Sequence, residues 1–122
     1  ENHLSGNIGN NLLKIKDILI TNFPKIILNN SIELNEILLE MTRYKIGCCF
    51  FIDNTNKLLG LLTDGDIRRL IIENNKINNI TINNINTSFL YETNIEKFIK
   101  DCKKTKYIPI IKNDIIVGII YI

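Results

Sequence analysis

The chain has 122 residues and no tryptophan, and only two prolines, one methionine and one histidine. Alanine is missing altogether. With His3 as the sole histidine, no second imidazole is available for acid–base chemistry or for a histidine-based metal site. The three cysteines, Cys48, Cys49 and Cys102, show no C-x-x-C spacing. An odd count without a framework excludes a disulfide-stapled fold and implies reduced thiols, hence a cytoplasmic setting. No apolar run approaches the ~20 residues that span a bilayer, and the polar opening lacks the pattern of a signal peptide. One-sided charge is missing too: the net charge is +2 and the pI about 8.5. Nucleic-acid binders concentrate basic residues on one face, so no nucleic-acid partner is expected. Lys103, Lys104 and Lys106 do cluster, but at the end of an expected helix, where cations complement the dipole.

Isoleucine, asparagine and lysine dominate what is present, a bias that points to an AT-rich genome. Pairs such as Asn74-Asn75 and Asn83-Asn84 are therefore weak turn signals, and apolar spacing is the better guide. By the same logic the few arginines, Arg43, Arg68 and Arg69, are informative in a chain that otherwise uses lysine. A chain of this length buries roughly two-thirds of its unfolded surface, enough for a core without metal or disulfide.

Residues 1–11 are polar and glycine-containing and read as a linker. Leu12, Ile15, Ile18 and Leu19 follow at helical spacing. Pro24 opens an extended run from Lys25 to Leu28. Ser31 is placed to cap a helix over 32–45 whose inner face is Leu34, Ile37, Leu38 and Met41, with Gly47 as its stop. Apolar runs Cys48–Ile52 and Leu58–Leu62 flank a turn at Asp53–Lys57, and a helix is expected from Asp64 to Asn74. The order then repeats. A short helical turn at 81–86 and an extended Ser88–Tyr91 lead to a helix that Thr93 can cap. Its face, Ile95, Phe98, Ile99 and Cys102, repeats the first helix 61 residues on. Ile108–Ile111, a turn at Asn113-Asp114 and Ile115–Ile122 repeat the strand pair, and Gly118 answers Gly60. Such a repeat predicts an α/β fold in which two half-units pack sheet to sheet with pseudo-twofold symmetry. The second copy stops at Ile122, where the first continues into its last helix, so a piece of a longer protein is expected.

The segment with chemical content runs from Gly60 to Arg69, G-L-L-T-D-G-D-I-R-R. Thr63 and Asp66 stand three apart at a helix start, which by itself suits a capping box. The same carboxylate can accept charge-assisted hydrogen bonds from a pair of sugar hydroxyls. Arg68 and Arg69, a turn further in, can hold a phosphate bidentately. Asp64-Gly65-Asp66 also spells a metal-binding D-x-D, but no other acidic or histidine ligand is placed near it, and no metal is expected.

The repeat, with G-x-x-T-x-x-D at its strand-to-helix turn, resembles the CBS motif pair, whose members bind adenosine nucleotides or related ligands between two motifs. The resemblance implies that residues 12–75 form a first CBS motif and 76–122 a second, and that Thr63 and Asp66 contact a ribose. The second motif departs, with Tyr121 where the threonine would stand. Thr63-Asp64-Gly65-Asp66-Ile67-Arg68-Arg69 is also similar to the version in D-arabinose-5-phosphate isomerases. So is the opening, with His3, Gly6 and Gly9 matching that family's H-P-G-G-x-L-G junction while Leu4 and Ser5 replace its proline and first glycine. The isomerase resemblance implies a regulatory pair behind a sugar-isomerase (SIS) domain. The parent would interconvert D-ribulose 5-phosphate and D-arabinose 5-phosphate for Kdo and lipopolysaccharide synthesis, with His3 matching a histidine implicated in catalysis. It further implies no required cofactor, a regulatory nucleotide (an adenine nucleotide, or CMP-Kdo as the pathway's end product), self-association through CBS pairs, and no activity in this piece alone. Two alternatives stay open: the CBS module of a sugar-phosphate nucleotidyltransferase, and a stand-alone ligand sensor or dimerisation module.

Overall fold

The computed structural model describes residues 19–74, 77–88 and 107–121. Of the helical run expected over 12–20, residues 12–18 lie outside those residues, and Leu19 and Ile20 are not helical, because Ile20 bridges to Ile119 instead. The helix capped by Thr93, and His3, Cys102 and the Lys103–Lys106 cluster, also lie outside.

Pro24 leads into β1 (Lys25–Ile27), which runs parallel to β3 (Cys48–Ile52); β3 pairs antiparallel with β4 (Leu58–Thr63). The order β1-β3-β4 makes β3 the central strand. That explains its unbroken apolar run: every residue is buried, because both faces are covered. Cys49 and Phe51 face one core with Ile37, Met41, Leu62 and Ile67. Cys48, Phe50 and Ile52 face a second core, shared with Ile116 and Ile119 of the other half. The period-two alternation of a strand thus divides one sequence run between a helix-facing and a sheet-facing core.

The first helix, α1 (Leu34–Tyr44), starts later than Ser31 would place it. Ile32 and Glu33 form a short strand, β2, paired with β5 (Asn79–Ile80), and Glu33 takes the N-cap position without a side-chain hydrogen bond. The Leu34 N–H donates instead to the Asn78 carbonyl at 2.8 Å, so a tertiary contact replaces the serine cap. The inner face of α1 is Leu34, Ile37 and Met41; Leu38 turns outward and is 37% exposed. Gly47 does not end the helix. Lys45 does, at φ 57°, in the left-handed conformation that closes helices.

The Asp53–Lys57 turn is organised by the Asp53 carboxylate. It accepts from the Thr55 N–H and hydroxyl and from the Lys57 N–H, and these bonds hold it below the usual carboxylate range. The second helix, α2 (Asp64–Glu73), follows β4 without a loop. In the other half, β6 (Tyr107–Lys112) and β7 (Ile115–Tyr121) form a hairpin. Its two turn residues, Asn113 at φ 52° and Asp114 at φ 66°, both adopt the positive φ that tight hairpins demand.

The two halves interlock. Ile20, ahead of the first half's strands, exchanges two backbone hydrogen bonds with Ile119 of β7, at 2.7 and 2.9 Å. Asn86, between the halves, does the same with Leu61 of β4, at 3.0 and 2.9 Å. Gly60 and Gly118 occupy matching places beneath these crossings. A Cβ on Gly60 would lie 2.6 Å from the Asn86 carbonyl oxygen, and one on Gly118 would lie 2.7 Å from Leu19 Cδ1 and 3.0 Å from the Ile20 oxygen. Each half thus receives the segment that precedes the other, which is the pseudo-twofold relation the repeat predicts.

Candidate functional site

β4 delivers Thr63 to the N-cap of α2 in extended conformation, so its hydroxyl can turn onto the first helical turn. Thr63 Oγ1 accepts the Asp66 N–H at 3.1 Å, and one Asp66 carboxylate oxygen accepts the Thr63 N–H at 3.0 Å. This is a complete capping box with aspartate in the third position. The other Asp66 oxygen accepts from the Arg69 guanidinium, one turn along. Both carboxylate oxygens are therefore engaged before any ligand arrives.

Asp66, Arg69, Leu70 and Glu73 fall on one face of α2, at the three- and four-residue spacing that aligns side chains along a helix. With Leu62 from β4 and Asn84, Ile85 and Asn86 from the segment between the halves, they line a cleft of about 190 Å³. That is below the roughly 300 Å³ at which pockets usually begin to enclose a whole small molecule, so the cleft as it stands matches part of a nucleotide. Arg68 is exposed and is not among its lining residues, because one residue along a helix turns the side chain about 100° away. Thr63 shapes the helix start without lining the cleft.

Asp64 is engaged elsewhere. Its N–H donates to the Gly47 carbonyl at 3.0 Å, and its carboxylate lies over Gly47, where a Cβ would come within 2.6 Å of Oδ2. The two carboxylates of the D-x-D thus serve different neighbours. Among the described residues no group of three or more metal-ligating side chains converges.

Asn84, Ile85, Asn86, Leu70 and Glu73 were not singled out in the sequence. Both asparagines, of which Asn84 was discounted there as compositional, hold local turns. Asn84 Oδ1 accepts the Thr81 N–H at 2.8 Å, and Asn86 Oδ1 accepts the Ser88 N–H at 3.0 Å. The Asn84–Thr81 bond, with the Asn84 N–H donating back to the Thr81 carbonyl at 2.9 Å, closes the turn at 81–84 that precedes Ile85 and Asn86. The available signal was the repeat itself, since 85–86 match Leu19-Ile20 as the segment entering a half. A second depression, of about 240 Å³, is lined by Glu33, Leu34, Asn35, Ile77, Asn78 and Asn79, with no cationic group among the described residues that line it.

Cys48 and Cys49 pack on opposite faces of β3, 1% and 0% exposed. Burial, with the neighbouring Cys49 thiol and the Asp66 and Asp64 carboxylates, pushes the Cys48 thiol far above its ordinary range. Burial and the Glu40 carboxylate push Cys49 up to about 12. Both thiols stay protonated and unreactive at neutral pH, as small hydrophobes.

Residues 15–73 match the family model described as "CBS domain", and the fold is that of a CBS-domain pair. The CBS domain pair of protein MJ0100, in complex with 5′-methylthioadenosine and S-adenosyl-L-methionine, superposes with a TM-score of 0.61 at 22% identity, covering 88% of this chain and 91% of that one. CBSX2 in complex with AMP superposes at 0.64 with 15% identity, over 88% of each chain.

Among curated proteins, the uncharacterized protein RP505 of Rickettsia prowazekii is 32% identical over 98% of this chain and 39% of its own length. Arabinose 5-phosphate isomerase KdsD of Pseudomonas aeruginosa is 34% identical over 70% of this chain and 26% of its own. The chain thus spans well under half the length of these relatives. No helix among the described residues is long and apolar enough to cross a membrane.

Proposed function

We propose that the chain is the nucleotide-sensing CBS pair of an arabinose-5-phosphate isomerase, and that its ligand docks where α2 faces the segment between the halves. The observation that carries this is the Asp66 carboxylate at a helix start, on the wall of a cleft formed by β4, α2 and the segment between the halves. The three ligands named for MJ0100 and CBSX2, all adenosine compounds, and the similarity to KdsD support it. Asp66 would accept the ribose hydroxyls, Thr63 would hold Asp66 in place, and Arg69 would meet the phosphate, with Arg68 exposed outside the cleft lining. In the parent enzyme, residues 1–11 would lead from the sugar-isomerase domain, 12–75 would form the first motif and 76–122 the second. His3 would belong to the isomerase's chemistry rather than to this module's. The exposed apolar residues Ile71 and Ile72 of α2, 43% and 71% accessible, suit closed twofold self-association.

The test is calorimetric titration of AMP and of CMP-Kdo against the wild-type chain and Asp66→Ala. Two hydrogen bonds to a charged acceptor are worth about 3 kcal/mol together, so Asp66→Ala is expected to lose roughly a hundredfold in affinity. If neither ligand binds the wild type, or the variant binds equally well, Asp66 is a helix cap and nothing more. The chain by itself is expected to convert no ribulose 5-phosphate, and measurable turnover by the purified 122-residue protein would contradict the assignment of catalysis to the rest of the parent.

A further inference from the structure

The cleft wall that faces α2 carries a hydrogen-bonding group that its own turn does not need. The Thr81 N–H donates to Asn84 Oδ1 at 2.8 Å, and since a backbone N–H can only donate, the amide atom it meets is the oxygen. The Thr81 hydroxyl donates to the same oxygen at 3.2 Å while accepting the Asn83 N–H at 3.2 Å. A carbonyl oxygen has two acceptor positions, and here both are filled. Asn84 is left with Nδ2, two N–H donors that find no acceptor among the described residues. That nitrogen is open to a ligand, because among the described residues no side-chain nitrogen or oxygen is both buried and unpaired.

Asn84 is half-buried and lines the cleft. Its neighbour Ile85 is buried in the core with Leu62 and Ile67, which fixes the segment from below. Asn86, also on the lining, accepts the Ser88 N–H at 3.0 Å and keeps one acceptor position as well as its donors, so it can bond in either sense. Asn84 can only donate. An aspartate at position 84 would make the same two bonds to Thr81, so the turn by itself does not call for the NH2 group. On the facing wall Asp66 and Glu73 can only accept, and Arg69 is charged. A nucleotide with its ribose on Asp66 and its phosphate near Arg69 has its base left for the Asn84 wall. In adenine the exocyclic amino group donates, so the base offers acceptors only at its unprotonated ring nitrogens.

We propose that Asn84 reads the base: Nδ2 donates to a ring nitrogen, and the residue thereby selects a nucleobase-bearing ligand over a bare sugar phosphate. The proposal rests on the nucleotide-binding role argued above, and its test separates the two.

AMP, 1-deaza-AMP, 3-deaza-AMP, 7-deaza-AMP and ribose 5-phosphate are titrated calorimetrically against the wild-type chain, Asn84→Asp and Asn83→Asp. Each deaza analogue replaces one ring nitrogen with C–H. Asn84→Asp keeps the oxygen that holds the turn, so its urea midpoint should match the wild type, but it replaces the donor with an acceptor. Asn83 is exposed and is not among the lining residues, so Asn83→Asp adds the same charge beside the cleft without altering its wall. The wild type is expected to bind AMP at least tenfold more tightly than ribose 5-phosphate. One of the three analogues should bind about fivefold more weakly than AMP, as loss of one neutral hydrogen bond implies. Asn84→Asp should weaken AMP about tenfold more than Asn83→Asp does, because an acceptor then faces an acceptor. It should also bind the sensitive analogue and AMP alike, while ribose 5-phosphate weakens equally in both variants. An asparagine that served only the turn would leave that discrimination in place. Three analogues that all match AMP in the wild type, discrimination that persists in Asn84→Asp, or equal wild-type affinity for AMP and ribose 5-phosphate overturns base reading and leaves ligand binding at the cleft intact. No binding of AMP to the wild type overturns both.

Discussion

Replacing Gly60 with alanine tests the interlock of the two halves and its hold on the cleft. The added Cβ would lie 2.6 Å from the Asn86 carbonyl oxygen and 2.8 Å from Ile85 Cδ1, where ordinary contact begins near 3.4 Å. The oxygen cannot retreat cheaply, because it accepts the Leu61 N–H at 3.0 Å while the Asn86 N–H donates back to Leu61 at 2.9 Å. Relieving the clash costs these two bonds, each worth about 0.5–1.5 kcal/mol net, together with about 1–3 kcal/mol of overpacking against Ile85. Against that stands about 0.4–1 kcal/mol gained from a stiffer unfolded chain. The expected loss is about 2–4 kcal/mol, or a drop in melting temperature of roughly 8–16 °C for a domain of this size. Gly118→Ala is the paired control. Its Cβ would press mainly on the flexible end of Leu19, with the Ile20 oxygen at 3.0 Å, so a smaller loss of about 1–2 kcal/mol is expected. The two should also differ in function. Gly60→Ala displaces Ile85 and Asn86, which line the cleft, whereas Gly118→Ala acts at the opposite crossing. Urea titrations give the stabilities and calorimetry with AMP gives the affinities. A Gly60→Ala protein within 0.5 kcal/mol of wild type, a threshold set by ordinary surface substitutions, or a Gly118→Ala protein that loses more, would refute the proposed crossing geometry.

Ile37→Ala should cost about 2–5 kcal/mol by urea denaturation, since this fully buried side chain joins α1 to β3; a loss below 1 kcal/mol would mean the helix is not docked there. Thr63→Val should remove one half of the capping box for about 1 kcal/mol, read as a lower urea midpoint; an unchanged midpoint would show the cap to be idle. Alkaline pH should destabilise the chain through its buried thiols. Cys49 has its folded-state value raised from 9.0 to about 12, so its contribution is full below pH ~9 and fades as pH rises toward 12, by about 4 kcal/mol in all. Cys49→Val should flatten that decline in urea midpoints between pH 8 and 11, and parallel declines in both proteins would show that other groups cause it. Native wild-type protein should also react only slowly with a thiol reagent at Cys48 and Cys49, whereas labelling within the mixing time would show that β3 is open.

Much of this architecture was legible in local pattern. The all-apolar Cys48–Ile52 run marked a strand, the Asn113-Asp114 pair marked the β6–β7 turn, and Thr63 with Asp66 marked a helix start, because backbone stereochemistry and hydrophobic period act over a few residues. The 61-residue repeat even gave the pseudo-twofold relation, since two half-units with apolar faces must cover one another. Other features depended on partners distant in the chain. Ser31 has a capping residue's chemistry, but pairing of Ile32 and Glu33 with Asn79 and Ile80 moved the helix start past it. Gly47 resembles a helix stop and is instead the space that Asp64 needs. Adjacent arginines look equivalent in sequence, yet the helical turn sets Arg69 over the cleft and Arg68 outside it. Asn86 is indistinguishable from the asparagines of a biased composition until the crossing onto β4 pairs its backbone with Leu61. Composition and period determine which segments become helix or strand and which faces are apolar. Which side chains meet at a cleft is decided by contacts between segments tens of residues apart, and those exist only once the chain has closed on itself.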